Sequence, residues 1–172
     1  MADTAMKTLH LLRHAKSSWD KPGQPDRERG LNKRGQRDAP RMGEALSHIL
    51  PPMSVALSPA RRAQLTLEGL CRGWPALADC RHYTEEDLYT FDGDDLLDWV
   101  RRQDDRHLAL FIIGHNPALT DLVNTLVAGD GLANLPTAGY VRIECPGASW
   151  AHLGERPARL ARRLFPKELP GD

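Results

Sequence analysis

Short apolar runs alternate with segments of helical periodicity along this chain, and this alternation constrains the fold more than any other feature. Residues 8–13 and 108–113 are apolar runs that end in polar residues, as is typical of buried strands in a parallel sheet. Further strands are predicted at 53–57, 81–83, 139–144, 148–153 and 158–165. The pattern predicts an α/β fold with a mostly parallel central sheet and helices on both faces.

Four helices are predicted between these strands, at 33–49, 60–72, 94–102 and 118–127. Asn32 is suited to cap the first of them. Pro40 falls inside that helix, and a proline in a helix interior costs about 3 kcal/mol, so we expect a kink or a later helix start there. The polar segment 17–30, which is rich in Gly and Pro, is predicted to be a loop.

Length and charge indicate how many domains the chain forms and which kinds of partner it favours. With 172 residues, we expect a single compact domain over 1–172 with its core at about 7–165. Lys and Arg (23) balance Asp and Glu (23), so bulk charge gives no support for a nucleic-acid or membrane partner. No apolar run approaches the roughly 20 residues that span a bilayer, and residues 1–7 lack the apolar core of a secretory signal.

The three cysteines, Cys71, Cys80 and Cys145, are odd in number and match no zinc spacing. They are predicted to be reduced, mostly buried thiols of a cytoplasmic protein. The basic residues are uneven in distribution, and one cluster is predicted to be either a solvated surface or a docking surface for an acidic phosphoprotein domain. This cluster contains Arg27, Arg29, Lys33, Arg34, Arg37 and Arg41.

Charged or titratable side chains follow three of the predicted strands: Arg13 and His14, then Arg61 and Arg62, then His115. In open α/β sheets, ligands bind beyond the carboxyl ends of the strands. An imidazole nitrogen can attack phosphorus and form a phosphoramidate that water later cleaves. Guanidinium groups match phosphoryl oxygens in geometry and charge. The residue types therefore predict a phosphoryl-transfer site, and this chemistry requires no metal or other cofactor.

Four motifs, in order along the chain, resemble those of the histidine phosphatase superfamily. They are 12–15 (LRHA), similar to its Arg-His-Gly signature with alanine for glycine; 31–35 (LNKRG), similar to Leu-Thr-x-x-Gly; 58–66 (SPARRAQLT), similar to Ser-Pro-x-x-Arg-Ala-x-x-Thr; and 114–117 (GHNP), similar to the second-histidine motif. The resemblance covers residues 8 to about 144 and implies a phosphoglycerate mutase-like fold.

The resemblance also implies roles for individual residues. His14 would be the nucleophile that carries the phosphoryl group, while Arg13, Arg62 and His115 would bind the phosphoryl oxygens. The motif selects Arg62 rather than Arg61. Two weaker candidates for substrate binding accompany them. Ser17 is either a phosphate ligand or a turn hydroxyl, and Asn116 either donates to the site or only caps the helix that follows.

Within the superfamily, residues 13–19 (RHAKSSW) and the closing Trp150, Leu164, Pro166, Lys167 and Leu169 look like the SixA-type phosphohistidine phosphatases. The segment between Arg62 and His115 leaves little room for the helical insert that forms a lid in small-molecule members. The resemblance therefore implies a cytoplasmic signal-transduction hydrolase. Its substrate would be phosphohistidine on a histidine-containing protein domain, and it would act without a metal.

The general acid is the part of the motif set that this chain lacks. Many superfamily members place a glutamate in a Leu-x-Glu setting after the third strand, where this chain has Thr90. Five acidic residues lie nearby, and none can be assigned: Glu85, Glu86, Asp87, Asp92 and Asp94. An imidazole leaving group needs less help than an alkoxide, which fits a phosphohistidine substrate. The alternatives are a small-molecule phosphomonoesterase of the same superfamily and a phosphoprotein-binding module without turnover.

Overall fold

A six-stranded sheet covered by helices on both faces forms the centre of the fold in the computed structural model, which describes residues 5–170. The strands are β1 (Met6–Arg13), β2 (Val55–Leu57), β3 (His82–Thr84), β4 (Ala109–Gly114), β5 (Tyr140–Pro146) and β6 (Arg159–Leu164). Their order is β3-β2-β4-β1-β5-β6. The first four strands are mutually parallel, and β5 and β6 are antiparallel additions at one edge. The predicted α/β class with a mostly parallel sheet is confirmed.

The helices divide between the two faces of the sheet. They are α1 (Lys33–Ser47), α2 (Arg61–Gly73), α3 (Pro75–Ala78), α4 (Gly93–Arg101) and α5 (Ala118–Leu126). Apolar residues of α1 to α3 share one core with Leu12 and Ile113, and those of α4 and α5 share a second core with Leu11 and Ile112. Because neighbouring residues of a strand face opposite ways, both sides of β1 and β4 are buried. This explains their continuous apolar sequences.

Helix α1 begins at its predicted cap. The side chain of Asn32 accepts a hydrogen bond from the backbone N–H of Gly35 at 2.9 Å, which satisfies one of the free donors of the first turn. The helix begins at Lys33 and continues through Pro40, so a later start is wrong. Close packing against α2 favours this arrangement: at Gly73 a Cβ would overlap the carbonyl oxygen of Pro40, and only glycine permits that approach.

The strand predicted at 148–153 is wrong. The segment forms a single 3-10 turn at Trp150–His152, preceded by Ser149, whose hydroxyl accepts a hydrogen bond from the Ala151 N–H at 3.2 Å. The Trp150 side chain is fully buried, and its indole N–H donates to the carbonyl of His107 at 2.9 Å. The buried Trp150 ring and this hydrogen bond fix the turn.

The three cysteines differ in burial. Cys145 is buried, but Cys71 and Cys80 are only half-buried free thiols, so the prediction of mostly buried cysteines is wrong for these two.

Within residues 5–170, no helix combines the length and the apolar character needed to cross a membrane.

Acidic partners neutralise part of the basic cluster. Arg34 and Arg41 lie 3.5 Å and 3.4 Å from the carboxylate of Asp38, a buried residue of α1. Arg27 forms an ion pair with Glu86 at 2.6 Å. The use of this surface for docking stays a prediction.

Candidate active site

The carboxyl ends of three neighbouring strands bring the predicted site residues together. Strands β1 and β4 pair with Arg13 opposite Gly114, so His14 and His115 follow at the same edge. The His14 N–H donates to the Gly114 carbonyl at 3.1 Å, and the N–H of Ser58, directly after β2, donates to β4 at 3.1 Å. The ring centroids of the two histidines are 5.2 Å apart. Parallel pairing in this register therefore creates the site.

His14 is held in the protonation state that a nucleophile needs. Its Nδ1 lies 2.7 Å from the carbonyl oxygen of Ala15, so Nδ1 carries the ring proton and donates it, which leaves a lone pair on Nε2. Burial, together with the nearby His115, Arg62 and Arg13, lowers the pKa of His14 to about 3, against the raising effect of the Ala15 carbonyl. The imidazole is therefore neutral at pH 7.

Arg62 is fixed against the His14 imidazole by α2 and by the loop before α1. Its side chain is 2% exposed, and its Nε lies 3.4 Å from Nε2 of His14. Its other two nitrogens donate to the backbone carbonyl of Asp26 at 2.8 Å and to the Asp26 carboxylate at 3.0 Å. One turn later, the Thr66 hydroxyl accepts from the Ala15 N–H at 2.9 Å and donates to the Arg62 carbonyl at 2.7 Å. The guanidinium is thus positioned before any substrate binds.

His115 and Arg13 complete the group. Nε2 of His115 lies 2.7 Å from the Ser58 hydroxyl, and the oxygen of that hydroxyl accepts a hydrogen bond from the Ala60 N–H. Burial, together with neighbouring arginines, lowers the pKa of His115 to about 3, against the raising effect of the Asp26 carboxylate. Within residues 5–170, three buried side-chain nitrogens have no hydrogen-bond partner, and two of them are Nε of Arg13 and Nδ1 of His115. Because unpaired buried polar atoms are costly, their presence indicates a site for a polar ligand.

Asp26 is a site residue that the sequence did not reveal. Its carboxylate accepts hydrogen bonds from Arg29 at 2.9 Å, from Arg62 at 3.0 Å and from the Tyr89 hydroxyl at 2.5 Å. Partial burial raises the pKa of Asp26, but these hydrogen bonds outweigh it and hold that pKa well below its usual range. Asp26 is therefore ionised and is not a proton donor at neutral pH. It lies in a polar loop outside every motif, and no local pattern distinguishes it.

Ser17 and Asn116, the two weaker candidates, have partners within the protein. The Ser17 hydroxyl is buried and accepts from Arg29 at 2.7 Å. The Asn116 amide donates to the Leu135 carbonyl at 2.8 Å, and its oxygen accepts from the backbone N–H and the hydroxyl of Thr120 at 3.1 Å and 3.0 Å. The Asn116 side chain therefore links the first turn of α5 to the loop that contains Leu135. The role of each residue as a phosphate ligand stays a prediction.

The expected position of a proton donor carries no acid. The Thr90 hydroxyl accepts from the Asp92 N–H at 3.1 Å and lies 3.4 Å from the Asp95 carboxylate. Three of the nearby acids have other partners: Glu86 pairs with Arg27, Asp87 with Arg102, and Asp92 accepts from the Asp94 N–H at the start of α4. No general acid is assigned among them.

These residues together can bind and transfer a phosphoryl group. A neutral imidazole nitrogen lies beside two guanidinium groups and a second imidazole, all at one strand edge. Within the described part of the chain, no group of three or more His, Cys, Asp and Glu side chains is arranged to hold a metal ion. The donors of the site instead suit an anion.

Comparison with known proteins decides the family. The sequence model of the histidine phosphatase superfamily (branch 1) matches residues 9–109, which is more than half of the chain. The chain belongs to this superfamily. Comparison with curated proteins gave no significant match.

Solved structures that share the fold include two SixA phosphatases and a phosphoglycerate mutase. A protein from Agrobacterium tumefaciens named phosphohistidine phosphatase SixA has a TM-score of 0.75 at 23% identity, over 92% of this chain and 97% of that one. The protein histidine phosphatase SixA in complex with tungstate has a TM-score of 0.72 at 18% identity, over 93% and 97%. A phosphoglycerate mutase from Bacillus anthracis has a TM-score of 0.63 at 13% identity, over 90% and 99%. The predicted phosphoglycerate mutase-like fold is confirmed.

Proposed function

We propose that this chain hydrolyses phosphohistidine on a histidine-containing protein domain in the cytoplasm, through a covalent phosphohistidine intermediate on His14. One observation carries the proposal. The side chains of Arg13, His14, Arg62 and His115 converge at one strand edge, while Thr90, at the position of the usual acid, has its hydroxyl engaged by Asp92 and Asp95. Such a site transfers phosphoryl groups from leaving groups that need no proton donor.

The first step exchanges one phosphorus–nitrogen bond for another. The lone pair on Nε2 of His14 attacks phosphorus, and the bond from phosphorus to the substrate imidazole breaks with its electron pair going to that nitrogen. When the second nitrogen of the substrate ring carries a proton, the imidazole departs neutral, so no enzyme acid has to protonate it. An alkoxide leaving group would need such an acid.

The second step releases phosphate. Water attacks phosphorus, the Nε2–phosphorus bond breaks with its electron pair returning to His14, and the proton lost by water goes to a phosphate oxygen or to solvent. In both steps Arg13, Arg62 and His115 stabilise the charge on the equatorial oxygens, which is the main demand of phosphoryl transfer. Donors that are already fixed before the reaction, as Arg62 is by Asp26, need no reorganisation during it.

The segment between the two halves of the site supports a large substrate. Residues 74–92 form the four-residue helix α3, the short edge strand β3 and one 3-10 turn at Glu86–Leu88. A segment this short provides no long helical cover for the strand edge. Two proteins that share the fold are named phosphohistidine phosphatase SixA and protein histidine phosphatase SixA, which supports a phosphohistidine-carrying protein as the substrate.

A comparison of substrates tests the proposal. We expect rapid dephosphorylation of a phosphohistidine-carrying protein domain, slower hydrolysis of an aryl phosphate and very slow hydrolysis of a sugar phosphate. The His14→Ala variant should lose all three activities, whereas the matched variant His152→Ala, in an exposed histidine, should keep them. Efficient hydrolysis of the sugar phosphate would favour the phosphomonoesterase instead. Tight binding of the phosphorylated domain without turnover would favour the binding module.

A further inference from the structure

Two aromatic side chains lie against His115 on either side of Thr90. The ring centroid of Tyr89 is 5.5 Å from that of His115, and the centroid of Phe91 is 5.4 Å from it. Tyr89 and Phe91 contact each other edge to face at 5.7 Å. The three rings form one cluster in which Phe91 remains 46% exposed. A large apolar ring half in solvent is unremarkable alone, but here it lies beside a phosphoryl-binding histidine.

Contacts on its far side hold Tyr89 in place. The Tyr89 hydroxyl donates to the Asp26 carboxylate at 2.5 Å, and the Arg27 guanidinium lies 5.7 Å from the ring centroid. Asp26 is itself bound to Arg62. The orientation of Tyr89 is therefore coupled through Asp26 to Arg62, and Phe91 packs on a ring whose hydroxyl is fixed.

The chemistry of the leaving group connects this surface to the reaction. A phosphoryl group that hydrogen-bonds to His115 lies next to the ring that Phe91 and Tyr89 both contact. The part of the substrate beyond phosphorus therefore passes close to these two rings. Where other members of the superfamily offer a proton donor, this chain offers a π surface on each side of a threonine. Aromatic rings favour edge-to-face or offset contact with other rings.

We propose that Phe91 and Tyr89 form an aromatic wall that contacts the ring of the leaving group and makes the site selective for phosphoryl groups carried on planar aromatic rings. The inference rests on the proposed function and names the residues that would set its substrate preference. The wall contacts the ring of the leaving group, and an imidazole or aryl leaving group departs without a proton donor. A flexible amine or alcohol makes no ring contact and does not depart as readily.

The test compares substrates that differ in the ring but share the bond that breaks. Wild type and Phe91→Ala are assayed with phosphoimidazole and phosphoramidate, which share a phosphorus–nitrogen bond, and with phenyl phosphate and propyl phosphate, which share a phosphorus–oxygen bond. We expect Phe91→Ala to lower kcat/KM about threefold to tenfold for the ring-bearing substrate of each pair, the size of one aromatic contact, and to leave the other unchanged. Phe91→Tyr should restore the preference.

A second aromatic residue provides the matched control. Tyr83 on β3 is 37% exposed, and its ring lies 5.1 Å from the Arg81 guanidinium, so Tyr83→Ala should leave both ratios as in wild type. Equal loss for ring-bearing and ring-free substrates in Phe91→Ala would overturn the aromatic wall, as would a loss confined to protein-bound phosphohistidine. Failure of the wild-type protein to dephosphorylate a phosphohistidine-carrying domain would overturn the proposed function, while the small-molecule pairs would still test the aromatic wall. Absence of wild-type activity on both ring-bearing substrates would overturn the wall.

Discussion

Three neutral histidines buried in the native protein should make it lose stability in mild acid. Burial lowers the pKa of His14 and His115 to about 3 and that of His10 to about 4, with Arg142 adding to the effect on His10. The unfolded chain has ordinary histidines with a pKa near 6.5. Between roughly pH 3 and 6.5 the unfolded state therefore binds more protons than the native state, and stability rises with pH through this window.

The magnitude follows from the same pKa values. At pH 5 an unfolded histidine is almost fully protonated and the buried one is not, which costs about 2 kcal/mol for each histidine and about 6 kcal/mol for the three. This is comparable with the whole stability of a typical domain. Above about pH 7 neither state binds these protons, so stability becomes flat with respect to these groups. The sign is that of acid destabilisation.

Urea unfolding followed by circular dichroism at pH 7.5 and pH 5.0 measures this difference directly. His14→Gln should reduce the difference by about 2 kcal/mol, and His10→Gln should do the same, whatever each change does to stability at pH 7.5. His152→Gln, in an exposed side chain, is the matched control and should retain the full difference. Equal stability of the wild-type protein at the two pH values would refute the reasoning, as would an unchanged difference in His14→Gln.

Three substitutions test other parts of the account. Arg62→Lys removes the guanidinium that bridges Asp26 and the nucleophile, and should lower kcat/KM about 100-fold with little effect on thermal unfolding; a change under threefold would contradict its role. Asp26→Asn removes a negative charge beside the phosphoryl site, and should tighten inhibition by inorganic phosphate about threefold to tenfold at low salt and less at high salt. Glu28→Gln, an exposed acid of the same turn, should not; equal effects would exclude a local contact. Gly43→Ala places a methyl group against the backbone of α2, and should cost about 1–3 kcal/mol in urea unfolding, whereas the exposed Glu44→Ala should cost little; equal costs would argue against close helix packing.

Most of the fold could be predicted because it depends on burial. The strands β1 and β4 are apolar on both faces, and the helices between the strands carry apolar residues at helical spacing, so local sequence identifies them. The segment 148–153, predicted as a strand, is harder to predict. The burial of Trp150 comes from a turn fixed by the carbonyl of His107, a contact 43 residues away that no local pattern contains.

Some residues of the site could be predicted from the sequence, and others could not. Arg13, His14, Arg62 and His115 lie at or directly after the ends of strands or at a helix start, where the topology of an α/β sheet predicts that they meet. Asp26 reaches Arg62 and Tyr89 only through the path of a polar loop, over separations of 36 and 63 residues. Loop paths depend on long-range contacts rather than on periodicity, so neither Asp26 nor the aromatic wall could be derived from the chain alone.

The central claim is that Nε2 of His14 forms a bond to phosphorus during turnover. Rapid acid-free quenching of the enzyme with a radiolabelled phosphohistidine domain, followed by peptide mapping, tests it directly. We predict a transient, acid-labile and alkali-stable label on the peptide that contains His14, absent from His14→Ala. Label on another residue, or full turnover by His14→Ala, would contradict the account.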